Sequence, residues 1–177
     1  MENNNSINLK RLCMDGMLLA MAVILGYVEV LIPINVGIPG FKPGLANIMT
    51  IIVIYIFGKR DAFIIGFLRV LIIGILFSGM FSLLYGVSGF ICSFIVMSLL
   101  KMSGKFGCVG LSVSGAIAHN TAQLLVASFV YMGTGIIIYY LPWLILMAIA
   151  TGILTGVLAY YCIIPVRKIA LKNINTD

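Results

Sequence analysis

The chain has 177 residues, of which 62% are hydrophobic and only 9% are charged, and its mean hydropathy is +1.19. A soluble domain cannot bury that much apolar surface and still cover itself with polar groups, so these values exclude a soluble enzyme and predict an integral membrane protein. Eleven basic and five acidic residues give a net charge of +6. The basic residues lie in short segments between apolar runs, which indicates membrane topology and not a nucleic-acid partner.

Apolar runs in the sequence predict an all-α bundle of six transmembrane helices. Pro33 ends the first run, and a Pro/Gly-rich outer loop follows at 33–44 because that segment is too broken to be helical. The second and third runs are shorter than the roughly 20 residues that cross the hydrocarbon, so we expect them to be tilted, shielded by neighbours or incompletely spanning. The first three expected spans are 14–32, 45–57 and 62–77. A turn at 78–80 leads to the fourth span, which ends near residue 100, and the last two are 109–131 and 143–164.

The basic residues predict how this single transmembrane domain is oriented. If the N-terminus is inside, nine of the eleven basic residues fall on the cytoplasmic side, Lys42 alone falls outside, and Arg69 lies within a span. The positive-inside rule then predicts an N-in/C-in protein of the plasma membrane, with cytoplasmic tails at 1–12 and 165–177. The nine residues are Lys10, Arg11, Lys59, Arg60, Lys101, Lys105, Arg167, Lys168 and Lys172.

Small residues recur four positions apart on several spans, and this spacing predicts close helix packing. The first span offers Gly16xxxAla20 and Ala22xxxGly26, and similar stripes begin at Gly110 on the fifth span and at Ala148 on the sixth. Helices in lipid have no hydrophobic drive to associate, so small residues mark where their backbones approach each other. Packing inside this one bundle accounts for most of these stripes, and one of them is available for a partner protein.

Polar and ionisable residues inside the apolar runs are the candidate binding residues. Such side chains are costly in a bilayer, which makes each of them a candidate for function. With the expected topology they converge on a cavity that opens to the outside. The alternative is structural, with Arg69 paired to Glu29 and His119 hydrogen-bonded inside the bundle. The candidates are Glu29, Lys42, Asn47, Arg69, His119, Asn120 and Gln123.

The charges among these candidates predict the chemistry of a substrate. Lys42, Arg69 and His119 would give the cavity a positive potential, so we expect a small solute with at least one anionic or strongly electron-rich group. Glu29 would then neutralise Arg69 or bind a donor on the solute. The outer loop at 33–44 is rich in glycine and proline and could act as a lid.

Motifs for enzyme, cofactor and metal chemistry are missing from the sequence. It contains no GxxxxGK[ST] loop and no HExxH, and its four cysteines show no CxxC spacing. No two carboxylates lie close in sequence, so a Mg²⁺ site for a diphosphate cannot be built. We therefore expect no catalytic residue, no cofactor and no metal ion.

Four segments resemble the Gx transporter family, which is also labelled heptaprenyl diphosphate synthase component I. They are KPGLANIMT at 42–50, GKRDAFIIGFLRV at 58–70, LLYGVSGFICS at 83–93 and VSGAIAHNTAQLLVA at 113–127. The resemblance covers nearly the whole chain. It implies a likeness to the substrate-binding S components of energy-coupling-factor (ECF) transporters, which bind a vitamin-like solute near the outer face.

The same resemblance implies partners. An S component docks on a transmembrane T subunit that two cytoplasmic ATPase subunits drive, often through small-xxx-small motifs on its first span. Gly16, Ala20, Ala22 and Gly26 match that pattern.

Three functions remain open at this point. The first is a solute-binding transporter subunit, and the second is a membrane accessory subunit in isoprenoid, quinone or extracellular electron-transfer metabolism. The third is a purely structural or assembly subunit. The chain cannot itself make a prenyl diphosphate, because it lacks the clustered carboxylates that hold Mg²⁺.

Overall fold

A computed structural model describes residues 2–31, 44–130 and 135–174, which are helical almost throughout and contain no strand. The all-helical class predicted from the sequence is confirmed for these residues. The helices are α1 Glu2–Leu31, α2 Leu45–Ile56, α3 Lys59–Ile73, a π-helical turn at Gly74–Ser78, α4 Gly79–Ser103, α5 Cys108–Val130 and α6 Gly135–Ile174.

The described part of the chain contains four helical stretches that are long and apolar enough to cross a membrane. Helix α2 is equally apolar, but its apolar portion Asn47–Ile56 is shorter than a usual span. The chain is therefore a multi-pass membrane protein, while the number of six spans and their orientation stay predictions. The four stretches are Arg11–Leu31, Lys59–Ser103, Cys108–Val130 and Tyr139–Arg167.

The stretch that joins α3, the π-helical turn and α4 folds back on itself. Gly79 takes a φ of 78°, a left-handed conformation that favours glycine and breaks the helical path where the sequence predicts a turn. Gly74 lies against Leu83, and further from the turn Gly66 lies against the ring of Phe90. These paired contacts show that α3 and α4 form an antiparallel hairpin.

Helices α5 and α6 pack closely through small residues. A Cβ atom added to Gly152 would lie 2.7 Å from the Cα atom of Val113, so the two backbones are almost in contact there. Gly156 makes a similar approach one turn further along α6. Between these two positions the hydroxyls of Ser112 and Thr155 are hydrogen-bonded at 2.8 Å. The small-residue stripe of the sixth span therefore packs against α5 inside the bundle, where it meets Val109, Ser112 and Val113 and not the stripe that begins at Gly110.

Helix α2 lies in the centre of the bundle, in contact with α1, α3, α5 and α6. Its residues 47–54 are all buried, and Ile51 and Val53 have no exposed surface. Of the three expectations for this short segment, shielding by neighbours is the one that the packing shows. At the C-terminal end of α2, the ammonium of Lys101 lies 3.1 Å from the centre of the Tyr55 ring. This cation–π contact links α2 to the end of α4.

Both terminal helices are longer than the predicted spans. Helix α1 begins at Glu2, within the segment 1–12 expected as a tail, and α6 continues past Pro165 to Ile174. Once an apolar span has formed a helix, each further residue adds a hydrogen bond without a new nucleation step, so polar flanks extend it readily. The expected outer loop 33–44 lies outside the described residues, apart from Gly44.

Candidate functional site

A cavity of about 60 Å³, half of whose lining residues are polar, lies at the end of the bundle that contains the α3–α4 turn. Every helix contributes to its walls, from Gly26 on α1 to Thr151 on α6. The volume is enough for several water molecules or for one small polar group. A cavity of this kind inside a membrane bundle is a candidate ligand-binding site.

Arg69 is the cationic side chain of the cavity. It projects from α3 and is only 5% exposed, and its Nη1 atom is buried with no hydrogen-bond partner among the described residues. A Cβ atom at Gly26 would lie 3.2 Å from Ile73 and 3.9 Å from the Cδ atom of Arg69, so this glycine lets α1 approach α3 closely next to the stem of the arginine. An unsatisfied charged donor is expensive to bury, which points to a ligand group at this atom.

Glu29 is the acidic side chain of the cavity and lies near the end of α1. Its Oε1 atom accepts a hydrogen bond of 2.5 Å from the backbone amide of Gly44, the N-cap residue of α2. Its carboxylate also lies close enough to attract the Arg69 guanidinium. Glu29 therefore interacts with both Gly44 and Arg69, and it leaves Nη1 of Arg69 without a hydrogen bond among the described residues. A simple buried ion pair does not account for the site.

Helices α2 and α5 supply two amides and an imidazole. Asn47 and Asn120 line the cavity and are 7% and 6% exposed, and His119 lines it beside Asn120. The imidazole lies directly over Gly89 of α4, where an added Cβ atom would be 2.8 Å from its Cε1 atom. The amides offer both donors and acceptors, so together with Arg69 they can orient a small polar ligand.

Three hydroxyl side chains complete the polar lining and were missed by sequence reasoning. Ser78 and Ser82 come from the π-helical turn and the first turn of α4, and Thr151 comes from α6. The spacing of the two serines, one helical turn apart beside a predicted turn, is a signal that could have found them. Thr151 offers no such signal in the sequence, because a threonine within a helix commonly donates its hydroxyl hydrogen bond to a backbone carbonyl. The hydroxyl of Thr151 does so here with the carbonyl of Met147.

The cavity brings together most of the binding residues predicted from the sequence. Five of them line it: Glu29, Asn47, Arg69, His119 and Asn120. Gln123 is buried about one turn further along α5 and does not line the cavity. Lys42 lies outside the described residues.

The four residues predicted to dock a partner fall on two faces of α1. Gly16 and Ala20 are exposed, and an added Cβ atom at Gly16 would have no neighbour within 4 Å. Ala22 and Gly26 are buried, and Gly26 lines the cavity. Only the first pair is therefore accessible on the surface, and the docking role of all four residues stays a prediction.

The fold and the cavity define the class of this protein, a helical multi-pass membrane protein with a polar cavity at one end of its bundle. The chain belongs to the family described as heptaprenyl diphosphate synthase component I, which is also labelled Gx transporter; the family model matches residues 18–162. That range includes every residue that lines the cavity. No curated protein and no solved structure matches the chain.

Proposed function

We propose that this chain is the membrane-embedded, solute-binding subunit of a transporter, similar to the S components of ECF transporters. Its solute is small and carries an anionic or strongly polar group that binds beside Arg69. The observation that carries the proposal is the buried Nη1 atom of Arg69 at the wall of a polar cavity. A buried guanidinium that served only the fold would have its N–H groups hydrogen-bonded within the protein, because a buried donor left unsatisfied is destabilising.

The other polar side chains support a binding site and not a passage for ions. Asn47, Asn120 and Ser82 surround the cavity with groups that can both donate and accept hydrogen bonds. A site of this kind selects its ligand sharply, because a ligand that lacks the matching groups leaves buried polar atoms unpaired. We accordingly assign the chain a binding role and no catalysis.

Uptake against a gradient requires energising partners in this proposal. The sequence contains no nucleotide-binding motif, so the energy comes from a T subunit with two ATPase subunits, or from an ion gradient. Gly16 and Ala20 on the exposed face of α1 are available for contact with the T subunit. We place the cavity at the outer face of the plasma membrane and both termini in the cytoplasm, in keeping with the positive-inside rule.

The family description favours a second candidate, a membrane accessory subunit of isoprenoid, quinone or electron-transfer metabolism. Among the described residues, no group of three or more His, Cys, Asp or Glu side chains is placed to hold a metal ion. Prenyl diphosphate synthesis uses carboxylate-bound Mg²⁺, so in this second candidate the catalysis belongs to a partner enzyme. The anionic substrate or product of that enzyme could still occupy the cavity beside Arg69.

Native mass spectrometry of the full chain released from membranes tests the first candidate. We expect a fraction of the protein to carry a small retained molecule. Asn120→Leu should lower that fraction, because losing a hydrogen bond to a charged or polar ligand weakens binding by about tenfold or more. Gln123→Leu is the matched control, since it removes a buried amide of the same helix outside the cavity.

Two outcomes decide against this proposal. If wild-type protein carries no small molecule, or if the Asn120→Leu variant retains it in the same proportion as wild type, the cavity is not the binding site. Co-purification with a quinone or with a prenyl-chain enzyme would instead favour the accessory subunit.

A further inference from the structure

A pair of aromatic rings bridges α1 and the π-helical turn beside the cavity. The ring centres of Tyr27 and Phe77 are 4.6 Å apart, and their planes are tilted by 48°. Each ring belongs to a residue next to one that lines the cavity, Gly26 on α1 and Ser78 in the turn. Tyr27 is 37% exposed and Phe77 is 46% exposed, so the other side of the ring pair faces the lipid. The pair therefore closes the contact between these two cavity-lining elements, with part of each ring toward the bilayer.

The tip of the α3–α4 hairpin beside this ring pair is apolar. Its side chains at Ile75, Leu76, Met80 and Phe81 are between 65% and 74% exposed. The sequence contains no charged residue between Arg69 and Lys101. Apolar side chains in such numbers are stable in hydrocarbon and not in water, so the tip lies in the bilayer or at its boundary. The contact between α1 and the π-helical turn therefore adjoins lipid.

The volume and charge of the cavity limit what can bind inside it. Pockets for whole small molecules usually measure about 300–1,000 Å³, whereas this cavity measures about 60 Å³. It holds a head group and little more. Glu29 offsets part of the positive charge of Arg69, so a head group with one negative charge matches the site better than a diphosphate.

We propose that the ligand is an amphiphile whose singly charged anionic head binds beside Arg69 and whose apolar tail passes between α1 and the π-helical turn into the bilayer. The inference rests on the proposed function and names its substrate class. Tyr27 and Phe77 part to admit the tail and then line it. Turns of π-helix within helical segments occur frequently at functional sites, and here the turn supplies Gly74 and Ser78 to the cavity and Phe77 to the ring pair beside it.

Photo-crosslinking in nanodiscs of phosphatidylcholine tests this route. The probe is dodecanesulfonate with a diazirine in the middle of its chain, because a sulfonate keeps one negative charge at every working pH. The matched probe has the same chain and a trimethylammonium head. We expect the anionic probe to label the segments around Tyr27 and Phe77 about tenfold more than the cationic probe does, which corresponds to about 1.4 kcal/mol of head-group preference.

Two controls make the result specific. Phe129 on α5 is 88% exposed, and its surroundings should be labelled equally by both probes as ordinary lipid-facing surface. Asn120→Leu should lower labelling by the anionic probe at Tyr27 and Phe77, because a hydrogen-bonding partner of the head group is lost, whereas Gln123→Leu should leave it unchanged.

Equal labelling by both probes at all three positions would show that the tail only samples bulk lipid, and it would overturn the inference. If a retained water-soluble molecule is then found by native mass spectrometry, the proposed transporter function stands and only the amphiphile is wrong. If no molecule is retained either, both proposals fall together.

Discussion

Two glycines decide how closely the helices approach around the largest polar side chains of the cavity. Gly26 lets α1 approach Ile73 of α3 beside the stem of Arg69, and Gly89 leaves space on α4 for the imidazole of His119. A larger residue at Gly26 would press on Ile73, and one at Gly89 would displace the ring of His119. The shape of the site is therefore set by residues that contribute no polar side chain themselves.

Gly89→Ala should disturb the site through contact alone. The added methyl group would lie 2.8 Å from Cε1 of His119, so the imidazole must move toward the cavity. We expect a loss of about 1–3 kcal/mol, typical of overpacking in a well-packed interior. Thermal unfolding in one detergent measures the stability, and native mass spectrometry measures the fraction of protein with a retained molecule.

Gly16→Ala is the matched control for this substitution. It also replaces a glycine within a helix, but its methyl group meets no atom within 4 Å, so it should be neutral or slightly stabilising. If the two variants unfold at the same temperature and retain the same molecule, the contact between Gly89 and His119 has no energetic importance.

Helix α2 shows why a helix shorter than the hydrocarbon thickness is stable in this bundle. Its 12 residues span about 18 Å, less than the hydrocarbon thickness. Four neighbouring helices surround it, so its ends meet protein groups, including the Glu29 carboxylate at Gly44. A short helix is stable in a membrane when its polar ends are satisfied by protein in this way.

The contact between α5 and α6 gives the prediction at this scale. In Gly152→Ala the new Cβ atom would lie 2.7 Å from the Cα atom of Val113, and a backbone atom cannot rotate away as a side chain can. The two helices must separate, and the hydrogen bond between Ser112 and Thr155 is strained. We expect a loss of about 3 kcal/mol, at the upper end of overpacking effects, in thermal unfolding.

Gly110→Ala on α5 serves as the comparison. Its nearest neighbour would be the ring of Phe106 at 3.3 Å, a side chain that can adjust. The variant should unfold within about 1 kcal/mol of wild type, since alanine also favours a helix. Equal stability of the Gly152→Ala and Gly110→Ala variants would show that α5 and α6 are not in tight backbone contact.

Across the whole molecule, charge and cavity lie at opposite ends. Arg11 of α1 forms an ion pair of 2.7 Å with Asp61 in the first turn of α3, and exposed basic residues such as Arg60 and Lys105 lie at the same end. The cavity lies near the α3–α4 turn at the other end. The positive-inside rule then predicts that the basic end faces the cytoplasm and that the cavity end faces out.

Labelling of single cysteines tests that orientation, after the four native cysteines have been replaced by alanine. Substituted cysteines at Lys42 and Thr134 should react with a membrane-impermeant maleimide added to intact cells. Those at Arg60, Lys105 and Lys172 should react only after the membrane has been opened, because they lie in the cytoplasm in an N-in/C-in protein. Reaction at Lys105 from outside would contradict the topology.

Composition and charge determined the class of this protein without any structure. Long apolar runs have no other stable environment than a bilayer, and the polar residues inside them stood out because they are expensive there. The helix bounds follow from the same signal: α2 and α5 begin within a residue of the predicted spans 45–57 and 109–131. Arg69, Glu29 and Asn120 were found for this reason.

Only the tertiary structure decided which side of each helix faces the cavity. In a membrane protein the interior and the lipid are both apolar, so a helix such as α5 carries no apolar stripe that marks its inner face. Asn120 therefore lines the cavity and Gln123 does not, although both are buried amides of one helix. The close approaches that Gly26 and Gly89 allow depend on neighbouring helices, because they exist only once α1, α3, α4 and α5 have packed.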